Sequence, residues 1–97
     1  MSRYVLSRLA DRDLNEIWEF IADRDGIDRA DGVVADLEDA LRFLTENPNA
    51  GHCREDLAPR SHRFWSVHEI LVIYLADTTP LQVVRFWHAK RDRPDRV

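Results

Sequence analysis

The chain has 97 residues, 44% of them apolar and 33% charged, with three glycines, four prolines and one cysteine. That length suits one domain around one core, and the composition excludes disordered, collagen-like and low-complexity character. Fourteen basic against eighteen acidic side chains leave a net charge of −4, which excludes a chain-wide electrostatic grip on nucleic acid.

Tyr4 and Leu6 alternate with Arg3, Val5 and Ser7, the pattern of a short opening strand, and Ser7 is placed to cap the helix that follows. From about Leu9 to Asp25, the side chains of Ala10, Leu14, Ile17, Trp18 and Ile21 make an apolar stripe along one side of a helix. Asp11, Arg12, Asp13, Glu16 and Glu19 are left largely to water. Gly26 suits the residue that closes this helix, and Asp28 suits the cap of the next. Ala30, Val33, Val34, Leu37, Leu41 and Leu44 repeat the stripe until Pro48 ends it. Two such helices joined by about three residues form an antiparallel hairpin, which needs a sheet to bury both stripes.

Residues 47–61 are turn-rich and read as an ordered loop. Arg63 to Val67 is strand-like, and Ile70 to Leu75 is almost continuously apolar, as a central strand is. Asp77 to Pro80 turns the chain into a last strand, Gln82 to His88. The predicted class is therefore α+β in the order β-α-α-β-β-β, with the helical hairpin packed on one face of a small, mainly antiparallel sheet. One domain spans 1–97, with residues 93–97 expected to fray.

Chemistry-bearing patterns are sparse. Four histidines and Cys53 show neither C-x-x-C nor H-x-x-x-H spacing, so no metal site and no cofactor is expected. A single cysteine forms no internal disulfide and suits a reducing compartment. No signal-peptide core and no membrane-length apolar run is present, which places the chain in the cytoplasm without a direct membrane role. Residues 1–50 carry 6 basic and 12 acidic side chains, whereas residues 51–97 carry 8 and 6 together with all four histidines. In the last strand, strict alternation would put Arg85 and Trp87 on one face and Val84, Phe86 and His88 on the other. Arg85 then either meets a partner or anchors Asp56 or a loop carbonyl. Strands with apolar residues of both parities need a cover on each face, and one hairpin supplies only one. The second cover is expected to be another chain, touching Trp18, Ile21 and Leu37 beside the hairpin and Trp65, Arg85 and Trp87 on the strands.

A scattered set of residues carries a resemblance. It comprises Leu6-Ser7 leading into Ala10, Asp13-Leu14 and Ile17-Trp18, then Asn47-Pro48 with Gly51 and the run Arg54-Glu55-Asp56-Leu57. Ile73-Tyr74 follows, and then Val84-Arg85 through His88 to Arg91-Asp92. From about Tyr4 to Asp92 this pattern resembles the ParE toxins of bacterial type II toxin–antitoxin systems, within the ParE/RelE superfamily. The resemblance implies a toxin held inactive by a ParD-like antitoxin, whose C-terminal segment lies across the apolar groove. It also implies DNA gyrase as the target, trapped on cleaved DNA by an inhibitor without an active site, and no direct nucleic-acid binding. RelE-like relatives cleave ribosome-bound mRNA instead, using lysines before the central strand, an arginine early in it, and an arginine and a tyrosine after the last strand. Here the first region carries His62, Arg63 and Phe64 without lysine, Leu71 stands in the second, and no tyrosine follows Arg91. His62, Arg63, His88 and Arg91 form the substitute set that an mRNA endonuclease would have to use. A third reading is a non-toxic module that only binds its antitoxin.

Overall fold

The computed structural model describes residues 4–54, 56 and 61–89. Strand β1 (Tyr4–Leu6) leads into helices α1 (Arg8–Asp25) and α2 (Ile27–Glu46), and a short 3-10 turn (Pro48–Ala50) follows. Strands β2 (His62–Val67), β3 (Ile70–Leu75) and β4 (Leu81–His88) complete the chain of elements. The sheet order is β1-β4-β3-β2, with β1 parallel to β4 and the other neighbours antiparallel. This is the predicted α+β arrangement. Among the described residues no helix is long and apolar enough to cross a membrane. The tail 93–97, expected to fray, lies outside the described residues.

Ser7 opens α1 as expected: its hydroxyl oxygen accepts the Ala10 N–H at 2.9 Å. The same hydroxyl donates to the Val84 carbonyl at 2.8 Å, and the Ser7 N–H donates to the Val83 carbonyl at 2.9 Å. One side chain thus starts the helix and fastens it to the sheet.

The joint between the helices is tighter than the expected three residues. Gly26 alone connects them, at φ 96°, a left-handed backbone open to glycine at little cost. Its N–H closes α1 on the Ala22 carbonyl, and its carbonyl receives the Ala30 N–H to open α2. Asp28 therefore sits in the first turn of α2, where a carboxylate favours the helix dipole, and is not the cap.

The apolar stripes meet the sheet. Ala10, Ile17 and Ile21 from α1 and Ala30, Val33, Leu37, Leu41 and Leu44 from α2 pack on Ile70, Val72, Tyr74, Leu81, Val83 and Phe86. Strict alternation fails in β4, because Ile73 pairs with Arg85 while its neighbour Tyr74 pairs with Val83. Val84 is the extra residue of a β-bulge, which shifts the parity of the strand beyond it. Val83 and Phe86 consequently join the same helix-facing core, and Val84 joins Phe64, Leu71, Ile73 and Trp87 in a second cluster.

Leu37, a partner candidate from the sequence, is 1% exposed inside the helix–sheet core. Truncating it to alanine should cost about 3 kcal/mol in urea unfolding, as a cavity-forming change does. A surface residue at that position would cost well under about 1 kcal/mol.

Candidate functional site

The partner candidates fall in three environments. Ile21 is 6% exposed and Leu37 1%, both filled in by the sheet, so neither presents a surface to another chain. These two expectations are corrected: both side chains are spent mainly in the helix–sheet core. Trp18 is half-buried between the helices and donates its indole N–H to Asp31 at 2.8 Å. Trp65, half-buried on the edge strand β2, lies 5.4 Å from Phe43 of α2 between ring centroids. Phe43 itself is 42% exposed. Its position off the apolar stripe of α2 was the available signal, since an aromatic there does not enter the helix–sheet core. Leu9, Val5 and Ile27 are also exposed apolar side chains.

The far face of the sheet is not bare. Phe64, Ile73 and Trp87 are buried there, and among the described residues Leu71 and Val84 flank them half-buried. The uncovered apolar surface is therefore narrower than the both-parity strands suggest. One exposed aromatic feature among the described residues is the Phe43–Trp65 pair at the rim of α2 and β2.

Arg85 lies against Asp13, not Asp56. Its Nε donates to Asp13 Oδ2 at 2.6 Å and its Nη2 to Oδ1 at 3.0 Å, while the guanidinium sits 5.9 Å from the Trp87 ring. Asp13 Oδ2 also accepts the Phe86 N–H at 3.2 Å. Asp13 was expected to face water, yet it is 6% exposed. The reason is the sheet edge. Strand β1 ends at Leu6, opposite Val83, so the outer edge of β4 beyond the bulge needs an acceptor from elsewhere. Asp56 instead holds Arg54, with Nε–Oδ1 at 3.2 Å and Nη2–Oδ2 at 3.1 Å, and that guanidinium keeps the Asp56 carboxyl below its usual range.

The substitute nuclease set does not come together. His62 pairs with Leu75 at one end of β3, whereas His88 pairs with Ile70 at the other. Val67, the partner of Ile70 on β2, is five residues from His62, roughly 17 Å along the strand. Arg63 is occupied: its Nη1 donates to the Gly51 carbonyl at 2.8 Å. Arg91 lies outside the described residues. Among the described residues no group of three His, Cys, Asp or Glu side chains could hold a metal ion, and Cys53 is an exposed thiol.

Near Arg63 the loop after α2 is clipped down. Tyr74 donates its hydroxyl to the Pro48 carbonyl at 2.7 Å and accepts the Gly51 N–H at 2.9 Å. A Cβ at Gly51 would overlap that hydroxyl and stand 3.0 Å from the Phe64 carbonyl oxygen, so only glycine fits. The next residue, His52, pairs with Phe64 through both backbone groups and closes part of the outer edge of β2. Burial pushes the Tyr74 phenol up from its ordinary range, outweighing the Gly51 N–H and the Arg63 charge.

Comparison with known proteins gives one consistent answer. The family model described as the ParE toxin of type II toxin–antitoxin system, parDE, matches residues 4–93. The Toxin ParE1 of Mycobacterium tuberculosis is 30% identical over 91 residues, covering 94% of this chain and 93% of that protein. The Toxin ParE1 of Caulobacter vibrioides is 27% identical over 88 residues, covering 91% and 90%. A solved structure of a chromosomal ParDE TA system from P. aeruginosa shares the fold, with a TM-score of 0.74 at 20% identity over 91% of this chain and 96% of that one.

Two stability measurements check this geometry. Asp13→Ala should cost about 3 kcal/mol, because it removes both carboxylate contacts of Arg85 and the acceptor of the Phe86 N–H together. Arg85→Ala should cost less, since Asp13 keeps the backbone donor. Equal and small losses would show a solvated pair. For Tyr74, the raised folded-state value means the neutral phenol is favoured in the native state. Its contribution is full below pH 10, the unperturbed range, and falls as pH rises above it. The stability difference between wild type and Tyr74→Phe should be flat from pH 7 to 9 and shrink above pH 10.

Proposed function

The chain belongs to the ParE toxin family of type II toxin–antitoxin systems, and on that premise we propose that it acts by binding, with DNA gyrase as target and a ParD-like antitoxin as its neutralising partner. The cytoplasm, where gyrase works, is the compartment this reading requires. The supporting observation is the contrast between two features. Exposed Phe43 stacks on half-buried Trp65 at one rim, a pair whose surface is suited to a partner's apolar side chains. The candidate acid, base and cation residues, by contrast, are spread over both ends of the sheet, with Arg63 spent on a loop carbonyl. Ribonucleolytic catalysis needs such groups within hydrogen-bond reach of one phosphodiester.

The antitoxin is read as covering the rim made by Phe43 and Trp65, with Trp18 beside Asp31 a separate contact nearer the start of α2, and not Ile21 or Leu37. Its binding energy would concentrate on the aromatic pair, as interfaces concentrate theirs on a few large side chains.

Inducing the chain in cells and scoring both products checks the target. Accumulation of gyrase-cleaved DNA with intact transcripts is the expected result. Transcripts cut at the ribosome, with DNA topology unchanged, would move the chain to the nuclease reading. For the partner, the chain should co-purify with the product of a neighbouring antitoxin gene. Phe43→Ser should weaken that complex by about tenfold or more while leaving urea unfolding within about 1 kcal/mol of wild type.

A further inference from the structure

One end of the molecule holds a cleft of about 420 Å³. Arg24 and Asp25 from the end of α1, Arg29 from the start of α2, His68 and Glu69 from the β2–β3 turn and His88 from the end of β4 line it. Ile21, Val33 and Ile70, all nearly fully buried, give it an apolar floor. That volume falls in the range of small-molecule sites, and the lining is mainly polar and charged over a small apolar floor.

His68 is the unusual member. It holds a left-handed backbone, φ 55°, at the first position of a two-residue hairpin turn, where glycine would be unstrained. Its Nε2 lies 2.6 Å from Asp36 Oδ2 on α2, so a carboxylate fixes the ring, and its other nitrogen has no partner among the described residues. Across the cleft, exposed Arg29 makes no ion pair among the described residues. Arg24 rests on the Phe20 ring at 5.2 Å, and Phe20 also meets His88 edge-on at 5.2 Å. Two guanidinium groups and an oriented imidazole therefore surround an apolar floor.

We propose that this cleft binds a phosphate monoester of about mononucleotide size. Arg24 and Arg29 donate to the phosphate oxygens, as paired guanidinium groups do. In its doubly protonated form the His68 ring adds a donor from the nitrogen not bound to Asp36, and the small apolar floor lies beneath the ligand. Asp25 and Glu69 stand on the same rim and cancel the formal charge of the two arginines. The chain as a whole carries −4. Long-range attraction of a polyanion is therefore absent, and recognition rests on the placement of donors around one small anion.

The test is a titration of the full chain, followed by amide and imidazole NMR, with inorganic phosphate, AMP and a ten-nucleotide single strand as separate probes. AMP should shift His68, Arg29 and Ile70 resonances saturably and more tightly than inorganic phosphate. Arg29→Gln, on an exposed helical position, should weaken AMP binding about tenfold. His68→Asn should do the same without unfolding the turn, because asparagine tolerates a left-handed backbone. Absence of saturable shifts at these residues would overturn the proposal, as would wild-type affinity in both variants. Tighter binding of the single strand than of AMP would overturn the small-ligand assignment.

Discussion

The carboxylate of Asp13 closes an edge that the first strand is too short to reach. A three-residue β1 pairs with the first half of β4 and then stops, leaving β4 beyond Val84 paired with β3 alone and its outer edge open. An unsatisfied backbone donor in that position would cost about 1–3 kcal/mol. Asp13 takes the Phe86 N–H and the Arg85 guanidinium together, and Ser7 takes the Val84 carbonyl. Helix α1 is thereby locked beside β4, α2 follows through the single residue Gly26, and the rim carrying Phe43 and Trp65 is set by that chain of constraints. The bulge belongs to the same device, since it turns Phe86 toward the helices and Val84 away from them.

Much of this was legible in the residues. The helical stripes stand out because apolar side chains recur with helical period, and the central strand because it is apolar throughout. Gly26 and Ser7 were readable because caps have few chemical solutions. The bulge was not: an extra residue between Val83 and Arg85 leaves no mark in a strand that is apolar on both parities. The burial of Asp13 was equally hidden. It sits among acidic neighbours on α1, and its partner is 72 residues further on. Ile21 and Leu37 were assigned to a partner because a stripe shows that something covers it without saying what. Phe43, which lies off the stripe, carried the better signal.

The polar groups of the strands are largely spent on holding the fold. Arg63, a nuclease candidate, is used to hold the loop after α2, together with Tyr74 and the close approach at Gly51. Arg85 is used on Asp13. What stays available at the surface is aromatic at one rim and, at the hairpin-turn end, a polar cleft around His68. Both places draw on α2, the rim through Phe43 near its C-terminal end and the cleft through Arg29 and Val33 near its start, roughly 20 Å apart along the helix for Arg29 and Phe43.

The pairing of Tyr4–Leu6 with Leu81–Val83 joins the earliest strand to the latest. Loop closure of that span is among the slowest contacts a small fold can form. During translation the helical hairpin is available early, but the sheet has no closed edge until β4 has left the ribosome. The nascent chain therefore carries the helix pair on an incomplete sheet until β4 emerges, and the surface that includes β4 is complete only as that strand docks. An antitoxin already present in the cell would meet that surface at the moment of its birth.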